Sequence, residues 1–200
     1  MNRFHSLIAR PMILFSAVLV AAAPQIAAAN DAPAKTVAAE KVTRGKYLVT
    51  VAGCNDCHTP WTMGANGPEP DMTRMLSGHP EKMVMPPAPV LPVGPWIAST
   101  GATNTAFSGP WGVSFTANLT PDRDTGLGKW NLRTFTDTIR TGRHMGRGRP
   151  ILPPMPYPMY KHFTDADLDA VFSYLQSIPA ISNRVPEPVA PAGPTVASAQ

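Results

Sequence analysis

The sequence is poor in cysteine and in charge, and beyond its first thirty residues it has no long apolar run. With two cysteines in 200 residues, the chain can form at most one internal disulfide. A structural zinc centre needs a second ligand pair, and the chain has neither a second C-x-x-C nor an H-x-x-x-H. Charged side chains make up only 15% of the residues. No segment after residue 29 is apolar over the roughly 20 residues that a membrane-spanning helix needs. The chain also lacks internal repeats and the βαβ pattern that a thioredoxin-like C-x-x-C requires.

In place of these features the sequence has 24 prolines and 15 glycines, about a fifth of the chain. That mix predicts long irregular stretches between a few helices. The N-terminus reads as a secretory signal: Arg3 and Arg10 give it positive charge, Pro11 to Ala23 is apolar, and Ala27-Ala28-Ala29 offers small residues for cleavage before Asn30. Residues 1–29 are therefore expected to be removed on export. Loss of Arg3 and Arg10 takes the formal net charge from +4 to +2, which gives no ground for nucleic acid as a partner. The remaining basic residues cluster at Arg140, Arg143, Arg147 and Arg149. Three readings of that cluster stand open: a solvated loop, a partner for a carboxylate-bearing cofactor, and a docking patch for an acidic protein.

Cys54 and Cys57 lie in Cys54-Asn55-Asp56-Cys57-His58. A C-x-x-C pair can close a disulfide or serve as a redox dithiol, but followed directly by His it is the attachment signature of c-type haem. Two thiols at this spacing can each bond one vinyl group of the same porphyrin, and His58 then lies under the iron. One covalent haem c is expected. Upstream, Thr43 to Gly53 reads as a short helix with Tyr47, Leu48, Val51 and Ala52 on its apolar face, Thr43 as N-cap and Gly53 as terminator. Gly45 would let another helix approach closely.

Residues 59–115 hold many prolines and glycines and no sustained helical period. They are expected to form an extended covering loop with a short hairpin, in which Trp61, Trp96, Phe107, Trp111 and Phe115 shield the haem. His79, in Leu76-Ser77-Gly78-His79, reads as a hydrogen-bonded or surface histidine. Asn118-Leu119-Thr120-Pro121-Asp122 and Thr125 to Trp130 form a turn-rich stretch, where Asp122 and Asp124 suit turns better than calcium. A helix from about Trp130 to Thr141 follows, with Leu132, Phe135 and Ile139 on one face and Gly142 as its stop. The last helix starts at the capping sequence Thr164-Asp165-Ala166-Asp167, buries Leu168, Val171, Phe172 and Leu175, and stops at Pro179.

A second axial ligand has many candidates: Met63, Met72, Met75, Met83, Met85, Met145, Met155 and Met159, and His79, His144 and His162. Met155 stands apart because Pro153, Pro154 and Pro156 surround it and stiffen its loop. A pre-organised loop lowers the entropy cost of holding a weak thioether on iron. Met159, preceded by Pro158, and the three histidines remain alternatives on this reading.

Residues 43–183 resemble the monohaem class I cytochromes c, in particular bacterial periplasmic members and the haem domains of dehydrogenase cytochrome subunits. The resemblance rests on the haem motif, Leu76 to His79, Asn118 to Trp130, and Met155-Pro156 ahead of the last helix. It implies a mainly α, class I cytochrome c fold with about three main helices around one haem and a long Pro/Gly-rich irregular insertion. It also implies Met155 as the iron's second axial ligand beside His58, and a last helix that crosses the first at Gly45. The domains expected are a signal peptide (1–29), a flexible N-terminal segment (30–42), the cytochrome domain (43–183) and a disordered Pro/Ala-rich tail (184–200). The implied function is periplasmic electron transfer without catalysis, as a monomer or complex subunit, with a dehydrogenase, oxidase or respiratory complex as redox partner. The alternative is a catalytic or ligand-sensing haem protein with a displaceable sixth position.

Overall fold

The computed structural model describes residues 31–91 and 94–191. The signal-peptide expectation and the last nine residues of the expected tail lie outside the described residues. The described chain holds five α-helices, α1 (Asp31–Val51), α2 (Cys54–His58), α3 (Leu132–Thr141), α4 (Tyr157–Tyr160) and α5 (Asp165–Ser177). Two small antiparallel sheets accompany them. One pairs β1 (Trp61–Gly64) with β2 (Gly67–Pro70). The other has the order β3 (Ser99–Thr100), β4 (Ala106–Gly109), β5 (Gly112–Phe115).

The core forms where α1, α3 and α5 meet. Leu48 and Val49 of α1 pack with Phe135 and Ile139 of α3 and with Leu168, Val171, Tyr174 and Leu175 of α5. The expected crossing at Gly45 is present: a Cβ there would lie 2.0 Å from the Ala170 carbonyl oxygen and 2.7 Å from Tyr174 Cβ. Only hydrogen fits, so the two backbones touch. Across this crossing Lys41 pairs with Asp169 at 2.6 Å and Arg44 with Asp167 at 3.0 Å.

Several local signals act as expected. Thr164 Oγ1 accepts from the Asp167 N–H and caps α5. Gly142, with φ 65°, ends α3 as expected, and Asn131, which was not singled out, caps its start by accepting from Thr134 N–H.

Other expectations are corrected. The first helix begins at Asp31, so residues 31–42 are helical where a flexible segment was expected. Thr43 is then not an N-cap: its hydroxyl donates back to the Ala39 carbonyl inside the helix. The buried stripe of α1 runs through Val42, Gly45, Leu48 and Val49 rather than through Tyr47 and Val51, which are 56% and 60% exposed. The close approach of α5 at Gly45 decides which face is covered, and Tyr47 instead lies under the Arg44 guanidinium.

Within residues 59–115 the expected short hairpin is present at β1–β2, and the sheet β3–β4–β5 adds strands that the extended-loop expectation lacked. Leu76, Ser77 and His79 are fully buried. The expected tail also changes character: residues 184–191 are laid against the domain. Val113 and Val189 exchange two backbone hydrogen bonds, at 2.8 and 2.9 Å. Gly112, with φ 90°, leaves the room this needs, since a Cβ would stand 2.1 Å from the Val189 carbonyl oxygen.

Candidate functional site

A cavity of about 500 Å³ opens between α2, β5, α3, the loop before α4 and the segment after α5. Cys54, Cys57, His58 and Met155 all line it. Side chains far apart in sequence are thus brought to one space. The rest of the wall is largely apolar, with Phe107, Phe115, Leu127, Phe135 and Ile139 among its residues.

The short helix α2 presents the first three of these residues. Gly53, with φ 67°, breaks the chain after α1 and restarts it as α2. Cys54 and Cys57 are both free thiols and partly buried. Burial pushes Cys54 up to about 11 and also raises Cys57, so both are protonated at neutral pH.

His58 is buried, and its Nδ1 lies 2.8 Å from the carbonyl oxygen of Ala117. A carbonyl only accepts, so Nδ1 carries the proton and the neutral ring keeps its lone pair on Nε2. Burial pulls the imidazole below its ordinary value, with the Ala117 bond opposing that shift. The ring is therefore neutral, as a metal ligand must be, and a carbonyl partner on the far nitrogen is the usual means of orienting such a ligand. The His58 carbonyl in turn accepts from Gly78 N–H at 2.7 Å, which ties α2 to the buried turn at Leu76–His79.

The alternative ligands separate by position. Met159 is 72% exposed and Met145 49%, and neither lines the cavity. His79 is fully buried, but Thr105 Oγ1 and the Met83 carbonyl occupy its two ring nitrogens, at 2.9 and 3.2 Å. His162 is exposed and away from the cavity wall. His144 does line the rim, with its ring edge-on to Trp130 at 5.6 Å. Of the five aromatics expected to shield the site, Phe107 and Phe115 line it, whereas Trp61, Trp96 and Trp111 do not. Asp122 is committed to its own turn, accepting from Asp124 N–H, Thr125 N–H and the Thr125 hydroxyl.

The basic cluster divides. Arg140 is drawn to Asp165 and the Lys161 carbonyl, and Arg143 donates to the Gly148 carbonyl. Arg149 reaches the cavity rim, where Glu187 stands 3.6 Å away. Residues 184–188 form one wall of the cavity, a role that the sequence Arg184-Val185-Pro186-Glu187-Pro188, without period, did not signal. Asn183 anchors that segment: it is buried, donates to the Ser77 and His79 carbonyls, and accepts from Glu81 N–H.

The donor set fits haem c. A large apolar slot, two free thiols on one short helix, a neutral imidazole with its outer nitrogen fixed, and a thioether in the same cavity are the groups such a cofactor uses. Among the described residues no helix is long and apolar enough to cross a membrane.

No protein-family profile matches the chain. Curated relatives do. The chain is 33% identical over 81 residues to a nicotinate dehydrogenase subunit of Pseudomonas putida, a match covering 40% of this chain and 7% of that protein. It is 26% identical over 136 residues to the fructose dehydrogenase cytochrome subunit of Gluconobacter japonicus, covering 68% and 21%. With the gluconate 2-dehydrogenase cytochrome c subunit of Pantoea cypripedii the identity is 35% over 65 residues, covering 32% and 14%. The matches thus span less than a quarter of the length of each of these relatives. By the cavity's donor set and by these likenesses together, the chain resembles the cytochrome c haem domains of dehydrogenase subunits, and that resemblance implies haem c as the cofactor.

Proposed function

We propose that the chain is a periplasmic electron-transfer protein of the class I cytochrome c fold. It would hold one haem c through thioethers at Cys54 and Cys57, with His58 and Met155 as the axial ligands. The observation that carries this reading is the shared cavity: the motif residues and Met155 line the same apolar space, and His58 is already oriented by Ala117. A haem c bound there would supply a one-electron iron couple, and holding it by a thioether as well as an imidazole would raise its potential.

The chain's own residues keep that couple selective. With His58 and Met155 both holding the iron, no position would be left for oxygen or peroxide, and the protein would act as a carrier rather than a catalyst. Phe107, Phe115, Phe135 and Ile139 exclude water, and the fixed His58 ring and proline-bound Met155 need little movement between oxidation states. The redox partner is a dehydrogenase or another respiratory protein. The relatives named as dehydrogenase subunits favour a place in, or beside, such a complex.

The test is spectroscopic. Exported protein should keep its haem through denaturing electrophoresis, and Cys54→Ser with Cys57→Ser should abolish that retention. The oxidised protein should show the weak far-red sulfur-to-iron charge-transfer band. Haem retention without that band would favour His144, which also lines the cavity, and would reopen the ligand-sensing alternative.

A further inference from the structure

The loop that carries Met155 is almost without hydrogen bonds of its own. Ile151 N–H donates to the Gly142 carbonyl, and the Pro156 carbonyl accepts from Met159 N–H at the start of α4. Between those points Pro153 and Pro154 have no N–H to give. Among the described residues, one hydrogen bond reaches residues 152–155 from elsewhere: Ser114 Oγ donates to the Pro153 carbonyl at 2.6 Å. Ser114 Oγ also stands 3.4 Å from the Phe107 carbonyl. A hydroxyl has one proton, and the shorter, better contact takes it.

Ser114 is well placed to act as a fixed point. It is 7% exposed and lies on β5, paired with Phe107 of β4. Immediately beyond β5, Thr116 N–H donates to Thr105 and the Thr116 carbonyl accepts from His79 N–H, both at 2.9 Å. The Ala117 carbonyl then receives the His58 Nδ1 proton. One short stretch of backbone therefore orients the imidazole at one end and, through Ser114, tethers the loop of the thioether at the other.

We propose that Ser114 is a positioning residue for Met155, its hydroxyl holding the loop so that the sulfur stays directed into the cavity. The inference rests on the haem-binding reading above. It reaches beyond that reading in assigning the placement of the sulfur to β5 rather than to the prolines alone. Prolines restrict the loop's shape but do not fix where that shape sits relative to the cavity. Among the described residues, Ser114 supplies the one polar link that does.

Imidazole titration of the full-length ferric holoprotein tests this, because imidazole binds only when the thioether leaves. Ser114→Ala should bind imidazole about three- to tenfold more tightly, the range expected for loss of one neutral hydrogen bond. Haem content should stay close to wild type. Ser114→Thr, which keeps a hydroxyl, should restore the wild-type affinity, whereas Ser114→Val, of the same shape as threonine, should not. The Thr/Val pair decides the matter if the alanine variant does not accumulate. Equal imidazole affinity across the series, or a lower thermal midpoint with unchanged affinity, would overturn the proposal. Absence of covalent haem or of the far-red band in wild type would instead overturn the underlying reading.

Discussion

His58 Nδ1 and the Ala117 carbonyl oxygen stand 2.8 Å apart across 59 residues of sequence. That contact sets which ring nitrogen is left with a lone pair and faces the ring's other side to the cavity. It joins the haem motif to the end of the small sheet, so motif and sheet form one support.

The choice between methionines is sharp. On the proposed ligation, Met155→Ala should lose the far-red band and lower the reduction potential, because no thioether would then favour ferrous iron. Met159→Ala should leave both unchanged, since Met159 is exposed and outside the cavity wall. Optical redox titration of the two variants checks the contrast. A band that persists in Met155→Ala would move the assignment elsewhere.

Gly45 should tolerate no side chain. Alanine has the better helix propensity by roughly 1 kcal/mol, but its Cβ would stand 2.0 Å from the Ala170 carbonyl oxygen. Separating α1 from α5 should cost about 3 kcal/mol, so the clash wins. Urea unfolding of Gly45→Ala should show a lower midpoint with an unchanged slope.

Asn183→Ala should be among the more damaging single changes outside the cavity. It would strip partners from the Ser77 and His79 carbonyls and from Glu81 N–H at a buried position. A cost of about 3 kcal/mol is expected. The segment at 184–188 should loosen with it, and faster tryptic cleavage after Arg184 would report that.

Stability should fall in mild acid. Burial lowers His79 and His144 from their ordinary value of 6.5. The unfolded chain then takes protons at a higher pH than the folded one. The contribution is complete above pH 6.5 and is lost as the pH falls from there through the lowered folded values. The thermal midpoint should drop over that window, and His79→Gln should make the drop shallower. An unaltered slope in that variant would assign the effect to other groups.

Much of the local structure was legible beforehand. Thr164 caps α5 because its hydroxyl reaches the Asp167 N–H within one turn, and Gly142 ends α3 because a left-handed residue is needed there. Such signals act over a few residues and survive in any context. The buried face of α1 was not legible in the same way. Tyr47 and Val51 are apolar enough for the core, yet the contact at Gly45 turns the helix so that Val49 is covered in their place.

The chemistry of the site is written in the order of the residues. Two thiols and an imidazole are fixed relative to one another by five consecutive residues, and a methionine among prolines is stiff wherever it is placed. What those groups meet depends on how the chain folds. The partner of His58 is a backbone carbonyl, a group that every residue carries and that side-chain pattern cannot mark. The wall at 184–188 is likewise a matter of place. Its prolines have no period to announce a packed element, but an extended chain becomes part of the site once Asn183 is buried at one end and Val189 is paired with Val113 at the other.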